Sequence, residues 1–459
     1  MILKKYFSLS KVSVYLIALI WILSFFNLKQ YEENVIGNDV ISYYGYLPAF
    51  FIFENAHLNF EATHKDLFKE GFFNNKYWPE VAPNGEKVIK MTMGLSMLYA
   101  PFFFLGHWTA IIQGGPALGY STPYYFFLIL SCFFYLIIGF YFLRKLLLNY
   151  YSESVTSLAL FSVYLGTNLY FYTTTEPLMS HAYLFSLLCV FLFFSKKWHE
   201  NPNLKNTLIV GFIGGLMTII RPTSILLMLI PLLYNVRDKT SLNDKIQLLI
   251  KEKFKIVLLL ITFVLPILPQ LFYWKYITGN WLFYSYVGEP FYFSKPHLID
   301  ALFGYRHGLL VYTPIMSFAL VGFLFLKKAA GDFFASVTIS FLILLYVIFS
   351  WWCWWYGGAY GMRALIDLYG LLALPMGAFY QYIFQKGRAM QAVLIFLIFL
   401  MIGLNLFQTI QFRRGLIHYD SNTKESFWMH FGTLNRNKEW VKLLKAPNYE
   451  NAKKGLPEN

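Results

Sequence analysis

The sequence predicts an all-α polytopic membrane protein with about 11 transmembrane helices, in a range of roughly 10–13. Of its 459 residues 57% are hydrophobic and 14% charged, and the apolar residues fall into blocks of about 17–22, the length that crosses a bilayer core. Short polar runs separate the blocks, and the basic residues gather in these runs, as orientation in a membrane requires. At about 150 residues per soluble domain the length would suggest three domains, but the blocks favour one helical bundle over 1–410 and a small polar tail over 411–459.

The elements follow in order. A span at 11–27 comes after Lys4, Lys5 and Lys11 with no small-residue cleavage site, so it reads as a retained anchor. An outer loop over 28–122 follows, in which 28–90 carries nine acidic and six basic side chains and is expected to form juxtamembrane helices. Within it, 91–112 is apolar but interrupted by Pro101, Gly106 and His107, and it is expected to lie in the outer interface rather than cross. Further spans are expected at 123–143, 156–172, 179–195, 206–220, 222–235, 256–273, 309–326, 333–350, 364–384 and 390–409. The pair 206–220 and 222–235 is split by Arg221-Pro222, where proline removes a donor and restricts the preceding residue.

Arg144-Lys145, Lys196-Lys197, 237–255, Lys327-Lys328 and Lys386 to Arg388 then face the cytoplasm together with the N-terminus. The stretch 236–255 reads as an ordinary solvated helix. The larger polar segments share the outer face, the tail included, although Arg413-Arg414 pulls the tail the other way. The net charge of +14 comes with no basic aromatic motif or soluble basic domain, so no nucleic-acid partner is expected. Cys132, Cys189 and Cys353 are too scattered for a disulfide framework or a zinc site and read as packing residues.

Five places on the outer face carry candidate chemistry. Asp39 stands in Gly37-Asn38-Asp39-Val40 with Tyr43 and Tyr44 close behind; it can serve as a base just outside the bilayer, and it also suits a helix N-cap before Val40. Glu176 and His181 flank a tight turn, where they can position an acceptor hydroxyl or a metal, or where Glu176 before Pro177 simply starts a helix. Arg221 ends the Gly-rich run Gly211 to Ile220; its guanidinium suits a lipid phosphate or snorkels to solvent. Arg306-His307 precedes a span and either binds phosphate or anchors the helix. The string Trp351-Trp352-Cys353-Trp354-Trp355-Tyr356-Gly357-Gly358 to Arg363 exceeds what an interfacial aromatic belt needs. Its rings can stack on sugar C–H surfaces, and its glycines allow close approach.

Together these strings resemble a bacterial member of the GT-C glycosyltransferase superfamily, near its protein-mannosyltransferase and aminoarabinose-transferase branch. The likeness lies in their order on one face: an acid in a long first outer loop, an acidic turn, a Gly-rich span ending in Arg-Pro, and the Trp/Gly string closing on Arg363. It implies a sugar delivered on a polyprenyl phosphate and transferred with inversion to a lipid, glycan or protein acceptor, at the outer face of the cell inner membrane. Asp39 matches the position of the family's first-loop acid, although Asn38 stands where many relatives carry a second one. Asp39 is then the expected base, with Glu176 beside it, and Arg221, Arg306 and Arg363 are the expected phosphate cations. Tyr43, Tyr44, His181, His307, Trp354 and Trp355 are expected at the substrates. No cofactor is required, and a divalent metal stays open.

Two rival readings share the spans. A transporter or flippase predicts related halves with matching broken helices, and no internal repeat is found. A polysaccharide polymerase or ligase would use a similar outer face and lipid-linked substrates.

Overall fold

The computed structural model describes residues 8–60 and 79–457. Lys4, Lys5 and the part of the first outer loop that ends at Trp78 lie outside the described residues. The chain is mostly helical, with α1 (Leu9–Leu28), α2 (Asp39–Phe51), a small hairpin of β1 (Pro79–Val81) and β2 (Lys87–Ile89), α3 (Gly94–Ile112), α4 (Thr122–Leu147), α5 (Glu153–Leu165) and α6 (Leu169–Thr174). Next come α7 (Ser180–Glu200), α8 (Leu204–Ile220), a 3₁₀ turn Pro222–Met228 running into α9 (Leu229–Leu233), α10 (Lys239–Lys251), α11 (Lys253–Val264) and α12 (Leu268–Thr278). The rest are α13 (Leu298–Phe303), α14 (Leu309–Tyr312), α15 (Met316–Ala329), α16 (Gly331–Phe349), a 3₁₀ turn Arg363–Leu368 leading into α17 (Tyr369–Phe384), α18 (Arg388–Arg413), α19 (Lys424–His430) and α20 (Tyr449–Lys453).

Six of these helices are long and apolar enough to cross a membrane: α1, α3, α4, α16, α17 with its leading turn, and α18. The pair α11 and α12, bent by 46°, makes up to seven if it is one span. Its bend falls at Pro266, with Pro269 following, where missing amide donors open the helical ladder. The break at Arg221-Pro222 appears as expected, with Arg221 extended at φ −142° and ψ 110° ahead of the proline. The segment 91–112 forms α3, which runs unbroken through Pro101 and is long and apolar enough to cross. Gly106 brings α3 against the backbone of Tyr124 on α4, and the neighbouring His107 Nδ1 lies 2.5 Å from the Tyr124 hydroxyl, so the residues expected to interrupt the segment instead dock it.

The core is built by helices packed in sequence neighbourhoods: α4 along α7, α7 along α8, α8 along α11, and α15 along α17. Gly211 and Gly215, four apart on α8, meet the backbone of α11 at Leu259 and Phe263, where any side chain would hold the helices apart. α18 continues past position 410 to Arg413, and the chain beyond it folds back. There the Tyr419 carbonyl accepts from Ala359 N–H at 2.9 Å, Tyr292 donates to the Lys453 carbonyl at 2.5 Å, and Trp440 is buried. The polar tail therefore packs onto the loop that carries the Trp/Gly string.

Candidate active site

Asp39 meets residues from distant parts of the chain. Asn38 takes φ 50° and α2 begins at Asp39 itself, so Asn38 occupies the cap position and the Asp39 carboxylate is not spent on the helix end. It pairs instead with Arg363, Oδ2 lying 3.2 Å from a guanidinium nitrogen. Arg363 reaches it from the first residue of the 3₁₀ turn that ends the Trp/Gly loop, and it also donates to the Tyr356 carbonyl at 2.5 Å. That carbonyl is presented by a tight reversal in which Tyr356 has φ 59° and Gly357 φ 67°, a conformation glycine adopts without strain.

The same 3₁₀ turn carries Asp367, which sequence reasoning missed. Asp367 is buried and forms an ion pair with Arg221 through Oδ2, while His181 Nδ1 lies 2.9 Å from Oδ1. One helical turn thus supplies a cation to Asp39 and an anion to Arg221. The signal was present: an acid four residues after an arginine, within an otherwise apolar block, normally has a partner and a purpose.

Asp39, Arg221 and Arg363 line one cavity of about 280 Å³ together with Tyr43, Lys90, Tyr284, Tyr286, Glu289, Phe291, Trp351, Trp352 and Tyr356. The first two tryptophans of the string line it, whereas the expected stacking faces Trp354 and Trp355 do not. Those two are buried around Arg306, whose guanidinium lies 6.0 and 5.0 Å from their ring centres. Arg306 therefore sits apart from the cavity, in an aromatic clamp. His307 is buried between two carbonyls, with Nδ1 2.8 Å from that of Trp355 and Nε2 2.7 Å from that of Tyr419. Burial lowers its pKa to about 4 against the opposing pull of the two carbonyls, and the ring links the Trp loop to the tail.

Tyr43 lines the cavity, its hydroxyl 3.4 Å from Ser180 Oγ. Tyr44 is wholly buried and donates to the Gly119 carbonyl at 2.5 Å, anchoring α2 to the loop before α4. His181 stands behind Arg221 through Asp367 and does not line the cavity. Glu176, in the turn between α6 and α7, interacts electrostatically with both Arg363 and Asp39. Its pKa is raised to about 7, because burial and the Asp39 charge together outweigh the attraction of Arg363. Among the described residues no three His, Cys, Asp or Glu side chains stand together as a metal site.

Lys90 and Glu289 were also missed. Lys90 follows β2, and its carbonyl accepts from Ser285 Oγ at 2.5 Å. The segment around Phe291 pairs with Trp351, and Trp352 N–H donates to the Pro290 carbonyl at 3.2 Å. This pairing brings Glu289 beside the tryptophans. The expected residues Asp39, Tyr43, Arg221 and Arg363 thus meet at one cavity with Glu176 nearby, while Tyr44, His181, Arg306, His307, Trp354 and Trp355 do not line it. No known protein family matches the chain, and no curated protein matches it.

Proposed function

We propose that this chain is an integral-membrane glycosyltransferase of GT-C type, with about 11 crossings, acting at the outer face of the plasma membrane. It moves a sugar from a polyprenyl-phosphate donor to an acceptor hydroxyl with inversion. The observation that carries the reading is the single cavity in which a carboxylate, two arginines and aromatic rings converge from distant parts of the chain.

Asp39 takes the proton of the acceptor hydroxyl as its oxygen attacks the anomeric carbon. The bond from that carbon to the phosphate oxygen breaks, and the phosphate leaves with the electron pair. Arg221 and Arg363 stabilise its charge, an effect that grows where water is excluded. The sugar passes through an oxocarbenium-like state, as in glycoside hydrolysis. Arg363 pairs with Asp39, so a donor phosphate that engages Arg363 competes with that pair and leaves the carboxylate free to act as the base.

Purified protein is expected to transfer sugar from a polyprenyl-phosphate donor, and Asp39→Asn to retain donor binding while losing about 10²–10⁴-fold in rate. Mass spectrometry of the products with a panel of donor lipids measures it. Unchanged transfer by Asp39→Asn would remove Asp39 as the base.

A further inference from the structure

We infer that the corner of the cavity formed by Lys90, Glu289, Trp351 and Trp352 is a saccharide subsite, which takes a neutral sugar ring by its hydroxyls and its C–H face. Its role in transfer rests on the glycosyltransferase reading, but sugar binding itself does not. Lys90 pairs with Glu289 Oε1 and lies 3.6 Å from Glu80 Oε1, while Trp352 Nε1 donates to Glu289 Oε2 at 3.2 Å. An ammonium so placed keeps a donor to spare, and the carboxylate keeps lone pairs.

That residual valence selects the ligand. A hydroxyl both donates and accepts, so one sugar hydroxyl can accept from Lys90 and donate to Glu289. A phosphate or carboxylate group would meet the Glu289 charge, a cation would meet Lys90, and a hydrocarbon would leave the pair desolvated with nothing in exchange. Rings supply the other half of the site. Trp351 lies edge-on to Tyr286 at 5.7 Å and to Phe291 at 4.6 Å, an aromatic wall of the kind that covers a C–H face. Tyr286 feels the charges of Arg221, Asp39 and Glu289, so the corner borders the reacting groups. The sugar can come from the donor or from a saccharide acceptor, since both present the same chemistry.

The test uses the full chain in nanodiscs and saturation-transfer NMR with methyl glycosides of mannose, glucose, galactose and N-acetylglucosamine. At least one is expected to bind, and to weaken by about tenfold in Glu289→Gln, the loss of one hydrogen bond to a charged group. Trp351→Leu leaves the ion pair in place and is expected to weaken binding likewise; it decides the matter if Glu289→Gln melts early. No glycoside binding to the wild type, or equal binding by folded variants, overturns the subsite. Displacement by polyprenyl-phosphate sugar but not by bare polyprenyl phosphate assigns the donor's sugar, and persistence alongside the donor assigns the acceptor's. If Asp39→Asn transfers normally while Glu289→Gln loses binding, the catalytic reading fails and the subsite stands.

Discussion

Asp39 reaches Arg363 because Asn38, with φ 50°, leaves α2 to start on the acid itself. Arg363→Gln is expected to raise the donor KM by about tenfold or more, since a forked, charge-assisted contact to phosphate is lost; initial rates across donor concentration measure it. A change in acceptor KM alone would contradict the role. Asp367 is held by Arg221 and His181, with its side chain 8% exposed and that of Arg221 20%. Asp367→Ala leaves a largely buried cation without its partner, and a loss of about 3–5 kcal/mol in unfolding free energy is expected from denaturant titration. Glu176 gives a pH signature. Its folded pKa is raised from 4.5 to about 7, so between those values the folded state holds the proton that the unfolded state releases. Stability from this group is therefore full at pH 4.5 and below, falls as pH rises through that window, and is lost above it. Melting profiles should show that slope in the wild type and lose it in Glu176→Gln.

Among the elements, the 3₁₀ turn Arg363–Leu368 does most to organise the site, because it presents Arg363 and Asp367 to two different partners within one turn. Its position depends on how α17 packs along α15 and how the turn packs on α7. The crossing of α8 and α11 is set by glycine, since Gly215 meets the Phe263 backbone. Gly215→Leu should force the helices apart and cost about 1–3 kcal/mol or more, read as a lower melting temperature. An unchanged melting temperature would mean that the contact is slack. Because α8 ends at Arg221, the same variant is expected to weaken donor binding.

At the scale of the molecule, the chain beyond Arg413 is part of the site's support, joined to the Trp loop through His307, Tyr419, Tyr449 and Lys453. Truncation after Arg414 should expose Trp355, which is wholly buried, and shift tryptophan emission to the red. An unshifted spectrum would show that the loop holds its shape without the tail. By itself the sequence determined the helical membrane class and the break at Arg221-Pro222, and it singled out Asp39, Arg221 and Arg363, which the fold brings to one cavity. Apolar block length and proline are local signals, and charged residues at apolar boundaries stand out along the chain. Only the tertiary structure decided the rest. Asp367 lay inside an apolar block, Lys90 and Glu289 lay far apart in ordinary loops, and which tryptophans face the cavity depends on the pairing of Phe291 with Trp351. Such partnerships join segments distant in the chain, where periodicity and local composition carry no information about contact.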